Sequence, residues 1–169
     1  MTDDREMDAI CQAIGSLIVW CNMIDQQMNQ VVANLFVLPD APMIEPIVAQ
    51  LDIRQKLELL KARAKLLPSG NGWRVNLLKW LKNVETVNER RNLVAHHHVV
   101  IRDNKATLAS SQLIKIMKAL DSNMKPKPKN DLSDIESWSD HASHTMNDSL
   151  IIIENTSRFR ELALQKLNN

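Results

Sequence analysis

Arg91-Asn92-Leu93-Val94-Ala95-His96 gathers a cation, an amide and an imidazole within one short segment. In a helix, Asn92 and His96 lie four residues apart and share a face, and Arg91 can lean to the same rim. Such a trio suits a phosphodiester. A guanidinium is always charged and offers phosphate oxygens a planar fork of donors, while an imidazole with a reference pKa of about 6.5 can take and give protons near neutrality. Arg91 also falls on the apolar stripe Trp73, Leu77, Trp80, Val84, Val87, Arg91 and Val94, so burial is its default expectation and a buried guanidinium must find a partner. An ion pair with Glu85, Glu89 or Asp148 is the purely structural account of the same arginine.

Other candidates are weaker. His96, His97 and His98 are consecutive, but side chains that diverge by about 100° per helical residue cannot all reach one ion. His141, His144 and Asp148 share one helix face and could hold a transition metal if another helix added a ligand; otherwise they form a solvated polar face. Lys125, Lys127 and Lys129, with Arg102, Lys105, Lys115 and Lys118, make the central third locally basic, either to track phosphates or simply as a soluble linker and charged surface. The chain contains no glycine-rich phosphate loop, Cys-x-x-Cys pair, Gly-x-Ser-x-Gly elbow or usefully spaced carboxylate pair, so kinase, hydrolase and zinc-finger readings lack support.

The elements that must position these groups are helices. Ile10, Ile14, Leu17, Cys21, Ile24, Met28, Val31 and Leu35 alternate at spacings of four and three, and Ile18 and Val32 widen the stripe, as in a helix with two or more neighbours. Pro39 stops it, and a turn or two of helix is expected over 43–50. Asp52 can then cap a second long helix through Leu57, Leu60 and Ala64, which ends at Pro68-Ser69-Gly70-Asn71-Gly72. The helix carrying the stripe of Arg91 starts near Asn71. After His98, Val99-Val100-Ile101 and Ala106-Thr107-Leu108 flank Asp103-Asn104 and predict a β-hairpin over roughly 98–109. Residues 112–120 fit either a third strand or a short helix, a strand followed by a loop being preferred, and Lys125-Pro126-Lys127-Pro128-Lys129 an extended linker. Asp131 or Ser133 caps a last helix with the stripe Ile135, Trp138, Ala142, Thr145, Ser149, Ile152, Thr156 and Phe159, reaching about Gln165.

Composition agrees with that outline. A length of 169 residues is one domain, 44% apolar residues suffice for a core, and 21 basic against 20 acidic residues exclude both global disorder and binding by bulk charge. Only 4% aromatics, no Tyr and three Gly disfavour sandwiches and barrels. Cys11 and Cys21, in one helix and about 15 Å apart by its rise, are expected as buried reduced thiols rather than a disulfide. An acidic N-terminus and a longest apolar run of Leu17 to Cys21 predict neither a signal peptide nor membrane association, hence a cytoplasmic protein.

The segment Arg91 to His96, at the end of an amphipathic helix in a small helical chain, resembles the R-x(4–6)-H signature of the HEPN superfamily, in which Asn often follows the arginine. The likeness extends in outline over the whole of 1–169: a long first helix, a second with the Lys56-Leu57-Glu58-Leu59-Leu60-Lys61 type of pattern, the motif helix, a small hairpin and a closing helix. Arg90 and Arg91 both qualify, as do His96, His97 and His98; Arg91 is preferred for its place in the stripe before the Asn, and His96 because Arg-Asn-x-x-Ala-His is the commonest shape of the signature. The resemblance implies an all-α, up-and-down bundle of four to five helices with a hairpin after the motif helix. It also implies a metal-independent endoribonuclease, as in toxin–antitoxin and abortive-infection systems, leaving 2′,3′-cyclic phosphate ends without a cofactor. Arg91 would stabilise the phosphorane, His96 would transfer protons and Asn92 would orient either group. Implied partners are RNA, a second copy of the chain through the motif helix, and in some systems a cognate protein. The alternative within the resemblance is a non-catalytic module that binds RNA or a partner protein. One such partner, a minimal nucleotidyltransferase, modifies a tyrosine just after the histidine, and this chain has none to offer.

Overall fold

The computed structural model describes residues 2–68, 70, 72–102, 105–110 and 130–167. Its first helix, α1, spans Thr2–Leu35, and the buried row Ile10, Ala13, Leu17, Cys21, Ile24, Met28, Val31 and Leu35 recurs at three and four residues, one face of a helix. A six-residue α2, Ile44–Ala49, occupies the segment where one or two turns are expected. Asp52 opens α3, Ile53–Lys65: its carboxylate accepts from the Gln55 amide at 2.8 Å while the Gln55 side chain accepts from the Asp52 amide at 2.9 Å, a reciprocal cap that satisfies two otherwise orphaned donors. The motif helix, α4, runs Gly72–Ala95, and the closing helix, α5, Leu132–Leu167. Asp131 caps α5 by accepting from the Asp134 amide, and the adjoining hydroxyl of Ser133 helps hold its carboxyl below the usual range.

All-α is therefore the class, with four long helices and one short one among the described residues. Helix α1 packs most extensively on α5, and the two run in the same direction, since Asn34 meets Thr156 and the Leu38 carbonyl meets Arg160. Small residues on α5 allow the close approach: Ala142, Thr145, Ser149 and Thr156 are buried, and the three hydroxyls bond to the carbonyls of His141, Met146 and Ile153 of their own helix. Helix α4 runs opposite to α5, with the Trp80 indole donating to the Thr145 carbonyl at 2.9 Å and Arg90 meeting His141 farther along. Helix α3 is tied to α1 at Asp25, through Lys56, and at Leu35, through Arg63. This placement explains one departure from expectation. Ile18 and Val32 share a face of α1, yet Val32 is 3% exposed and Ile18 40%, because α3 lies beside the later turns and leaves the earlier ones open.

Strands β1, His97–Arg102, and β2, Lys105–Ser110, pair antiparallel in register His97↔Ser110 through Arg102↔Lys105, one residue wider at each end than predicted. A two-residue β3, Asn130–Asp131, adds to β2 and leads into α5. Ala106 and Leu108 turn into the core against α1 and α5. The turn expected at Asp103-Asn104, the strand or loop over 112–120 and the proline-spaced linker over 125–129 lie outside the described residues. By length and composition, α1 is apolar enough to cross a membrane, and its apolar row is the one that packs against α3, α4 and α5. Cys21 is buried as expected, but Cys11 is exposed: next to Ile10 in sequence, it points about 100° away from the buried row.

Candidate functional site

Helix α4 ends where the motif ends. The His96 amide closes the last turn on the carbonyls of Asn92 and Leu93, at 3.1 and 3.3 Å, and the next residue opens β1. A helix end continued by a strand fixes the backbone on both sides of His96, whose side chain is exposed. Arg91, Asn92 and His96 therefore lie within the last turn and a half of one rigid element, Asn92 half-buried and the other two exposed.

Arg91 is not buried. Its helical phase is that of Val87 and Val94, which are 1% and 7% exposed, yet a long side chain at a seam position can lay its stem on the core and carry its charge to water. Its Nη1 donates to Asn92 Oδ1 at 3.0 Å. Of the three carboxylates considered as structural partners, Glu85 receives Lys61 at 2.8 Å, Asp148 lines a groove with Asn76, Lys79, Trp80, Ile151 and Ile152 about three turns back along α4, and Glu89 is exposed with no ion pair to Arg91. The Arg91 charge also faces α1, where it works against the burial that pushes the Cys21 thiol up to about 11.

Arg90 is half-buried on the opposite flank of α4, facing α5. Its guanidinium lies over the Trp138 ring, 5.9 Å from the centroid, and its Nη1 is 2.6 Å from His141 Nδ1. A guanidinium has donors and no acceptor, so Nδ1 accepts, and the imidazole is neutral with its proton on Nε2. Burial first, then the positive charge of Arg90, then His144, holds the His141 pKa below its ordinary 6.5. His141 and His144 do not form a metal centre with Asp148: among the described residues no three His, Cys, Asp or Glu side chains gather to hold an ion.

Two adjacent guanidiniums thus end α4 with neutral acceptors as partners, an amide oxygen for one and an imidazole nitrogen for the other, and among the described residues neither meets a carboxylate. Several other cations serve the fold. Lys56, Lys61, Arg158 and Arg160 sit in ion pairs, and Arg63 and Arg74 cap the carbonyls of Leu35 and Leu67. His97, beside the motif histidine, keeps a buried Nδ1 without a hydrogen-bond partner among the described residues. Sequence reasoning selected Arg91, Asn92 and His96 and passed over Arg90, Trp138 and His141 as a group. The available signal was an indole and an imidazole three residues apart on one face of α5, but nothing in the chain says which helix that face meets.

Fold and site define a class: a parallel-and-antiparallel helical bundle whose motif helix ends in two cations that meet no carboxylate among the described residues and passes into a β-hairpin. No protein-family profile, no curated protein and no solved structure matches the chain.

Proposed function

We propose that the protein is a metal-independent endoribonuclease of HEPN type that acts on RNA in the cytoplasm, with toxin or antiviral defence as its setting. The observation that carries this reading is the pair Arg90 and Arg91, adjacent cations without a carboxylate partner among the described residues, one turn before His96. Arg90 is half-buried without a counter-charge, and Arg91 beside it carries its charge in water, so the two together favour an anionic ligand. RNA supplies one, with a 2′-hydroxyl beside each phosphate. His96 accepts the 2′-hydroxyl proton, the alkoxide attacks phosphorus, Arg91 donates to the phosphorane oxygens, and the 5′-oxygen leaves with a proton, giving a 2′,3′-cyclic phosphate. Asn92, already bonded to Arg91, orients the guanidinium. One protomer supplies a single motif histidine, so acid and base roles in one cleft call for a homodimer with α4 ends face to face.

Purified protein incubated with mixed-sequence RNA in EDTA tests this directly. Cleavage leaving 2′,3′-cyclic phosphate ends, lost in Arg91→Ala and His96→Ala, is the expected result, since acid–base groups contribute roughly 10²- to 10⁴-fold. If His97→Ala or His98→Ala is dead while His96→Ala cuts normally, the cleft stands and the histidine changes. RNA bound but never cut leaves the non-catalytic module that binds RNA or a cognate partner protein. Light scattering that finds only a 19.3 kDa species at micromolar concentration removes the dimer.

A further inference from the structure

We propose that Arg90 and His141, backed by Trp138, form a second phosphate subsite for RNA on the α5 flank of the motif helix, and that filling it takes up a proton. The subsite deepens the reading above and rests on it for its ligand. Arg90 is half-buried, lies over an indole at 5.9 Å from its centroid, and gives one hydrogen bond to His141; among the described residues it has no other polar partner. A guanidinium offers five donors, so most of its capacity is unused. The His141 tautomer keeps its remaining proton on Nε2, and its Nδ1 lies beside the Arg90 donors. Trp138 flanks the guanidinium, and α4 and α5, both long helices, hold Arg90 and His141 on rigid supports.

The proton balance follows from the geometry. A phosphodiester that accepts from the free donors of Arg90 brings negative charge beside the imidazole. Nδ1 can then exchange the Arg90 hydrogen bond for a proton from solvent, and the imidazolium faces a phosphate as well as the guanidinium. The groups acting on His141 are Arg90 from α4 and His144 from its own helix, both of which lower its proton affinity, and among the described residues no carboxylate opposes them. A bound phosphate would reverse that balance. Affinity for RNA should rise as pH falls, through this imidazole in particular.

The test uses the full chain and a 5′-labelled 2′-O-methyl oligoribonucleotide, which lacks the attacking hydroxyl and cannot be cut. Affinity is measured by fluorescence anisotropy across a sodium chloride series at pH 7.5 and 5.5. Each phosphate contact in a single strand contributes about 0.7 to the slope of log K against log salt. Arg90→Ala should lower that slope by about 0.7 at both pH values. His141→Asn, whose amide can still accept from Arg90 but does not titrate, should match wild type at pH 7.5 and fall below it at 5.5; protonation of His96, His97 and His98 cancels in that comparison. The ring signals of His141 in NMR should titrate at higher pH with oligonucleotide bound than without. Should Arg90→Ala fail to fold, Arg90→Lys keeps a charge but loses the planar fork, and is expected to bind more weakly at both pH values. A wild-type slope in Arg90→Ala, wild-type affinity in Arg90→Lys, or an unchanged pH increment in His141→Asn overturns the subsite. Cleavage of unmodified RNA reports separately on the catalytic reading: cutting by wild type together with a wild-type slope in Arg90→Ala removes the subsite alone, and an altered slope in Arg90→Ala without cutting by wild type removes the nuclease alone.

Discussion

Arg91→Ala separates chemistry from stability, because the structure places the side chain where its loss harms little. Arg91 is exposed, and its one hydrogen bond runs to the neighbouring Asn92. No buried group loses a partner, and Ala is the better helix former, so the change in folding free energy should stay within about 0.5 kcal/mol. For a domain of 169 residues a change of 1 kcal/mol moves the midpoint by about 2–4 °C, so Tm should shift by no more than about 2 °C. An arginine in a closed, buried ion pair behaves differently, costing about 3–5 kcal/mol when its partner is stranded and moving Tm by roughly 6–20 °C. On the catalytic axis, removing one donor to the charged transition state should slow cleavage about 10²- to 10³-fold, or roughly 2.7–4 kcal/mol of barrier. Calorimetry and a timed cleavage assay on the same preparation read the two axes. A Tm loss above about 6 °C would refute the exposed geometry, and an unchanged rate would refute the role of the cation.

The buried Lys56 ammonium, 0% exposed and 2.7 Å from Asp25, predicts an asymmetry: Asp25→Asn strands a buried charge and should cost about 3–5 kcal/mol in urea unfolding, whereas Lys56→Met, which leaves Asp25 at 41% exposure, should be near neutral and should rescue Asp25→Asn. Equal costs for the two single variants would count against it. With the Cys21 thiol pushed up to about 11, its thiolate fraction at pH 8 is about 0.1% and burial blocks access, so a disulfide reagent should titrate Cys11 alone in the native protein and both thiols in guanidinium. The His141 pKa lies below its unfolded value near 6.5, so its contribution to stability is complete above that value and is lost as pH falls from there toward the folded value. Tm should therefore drop between pH 7.5 and 5.5, and His141→Asn should drop less; an identical drop would mean that another group governs acid stability.

Spacing alone carried much of this fold. The alternation of three and four along α1 gives the direction in which Ile10, Leu17, Ile24 and Met28 project, and that direction is a property of helix geometry rather than of any neighbour. Asp52 and Gln55 form their cap between adjacent residues, and the hairpin register follows from two short apolar runs, so local chemistry suffices for both. The motif could be placed at a helix end for the same reason, since Asn92 and His96 are separated by one turn. What helical phase does not contain is coverage. Ile18 and Val32 share a face, and only the position of α3 decides that one is exposed and the other buried; Arg91 shares the phase of Val87 and Val94, and only its length carries it out to water. The pairing of Arg90 with His141 spans 51 residues and two helices whose relative direction the chain does not spell out locally. Its consequences, a neutral imidazole in one tautomer and a guanidinium with donors to spare, arise only when α4 and α5 pack antiparallel, because proton affinity and hydrogen-bond partners depend on what tertiary structure brings within about 3 Å.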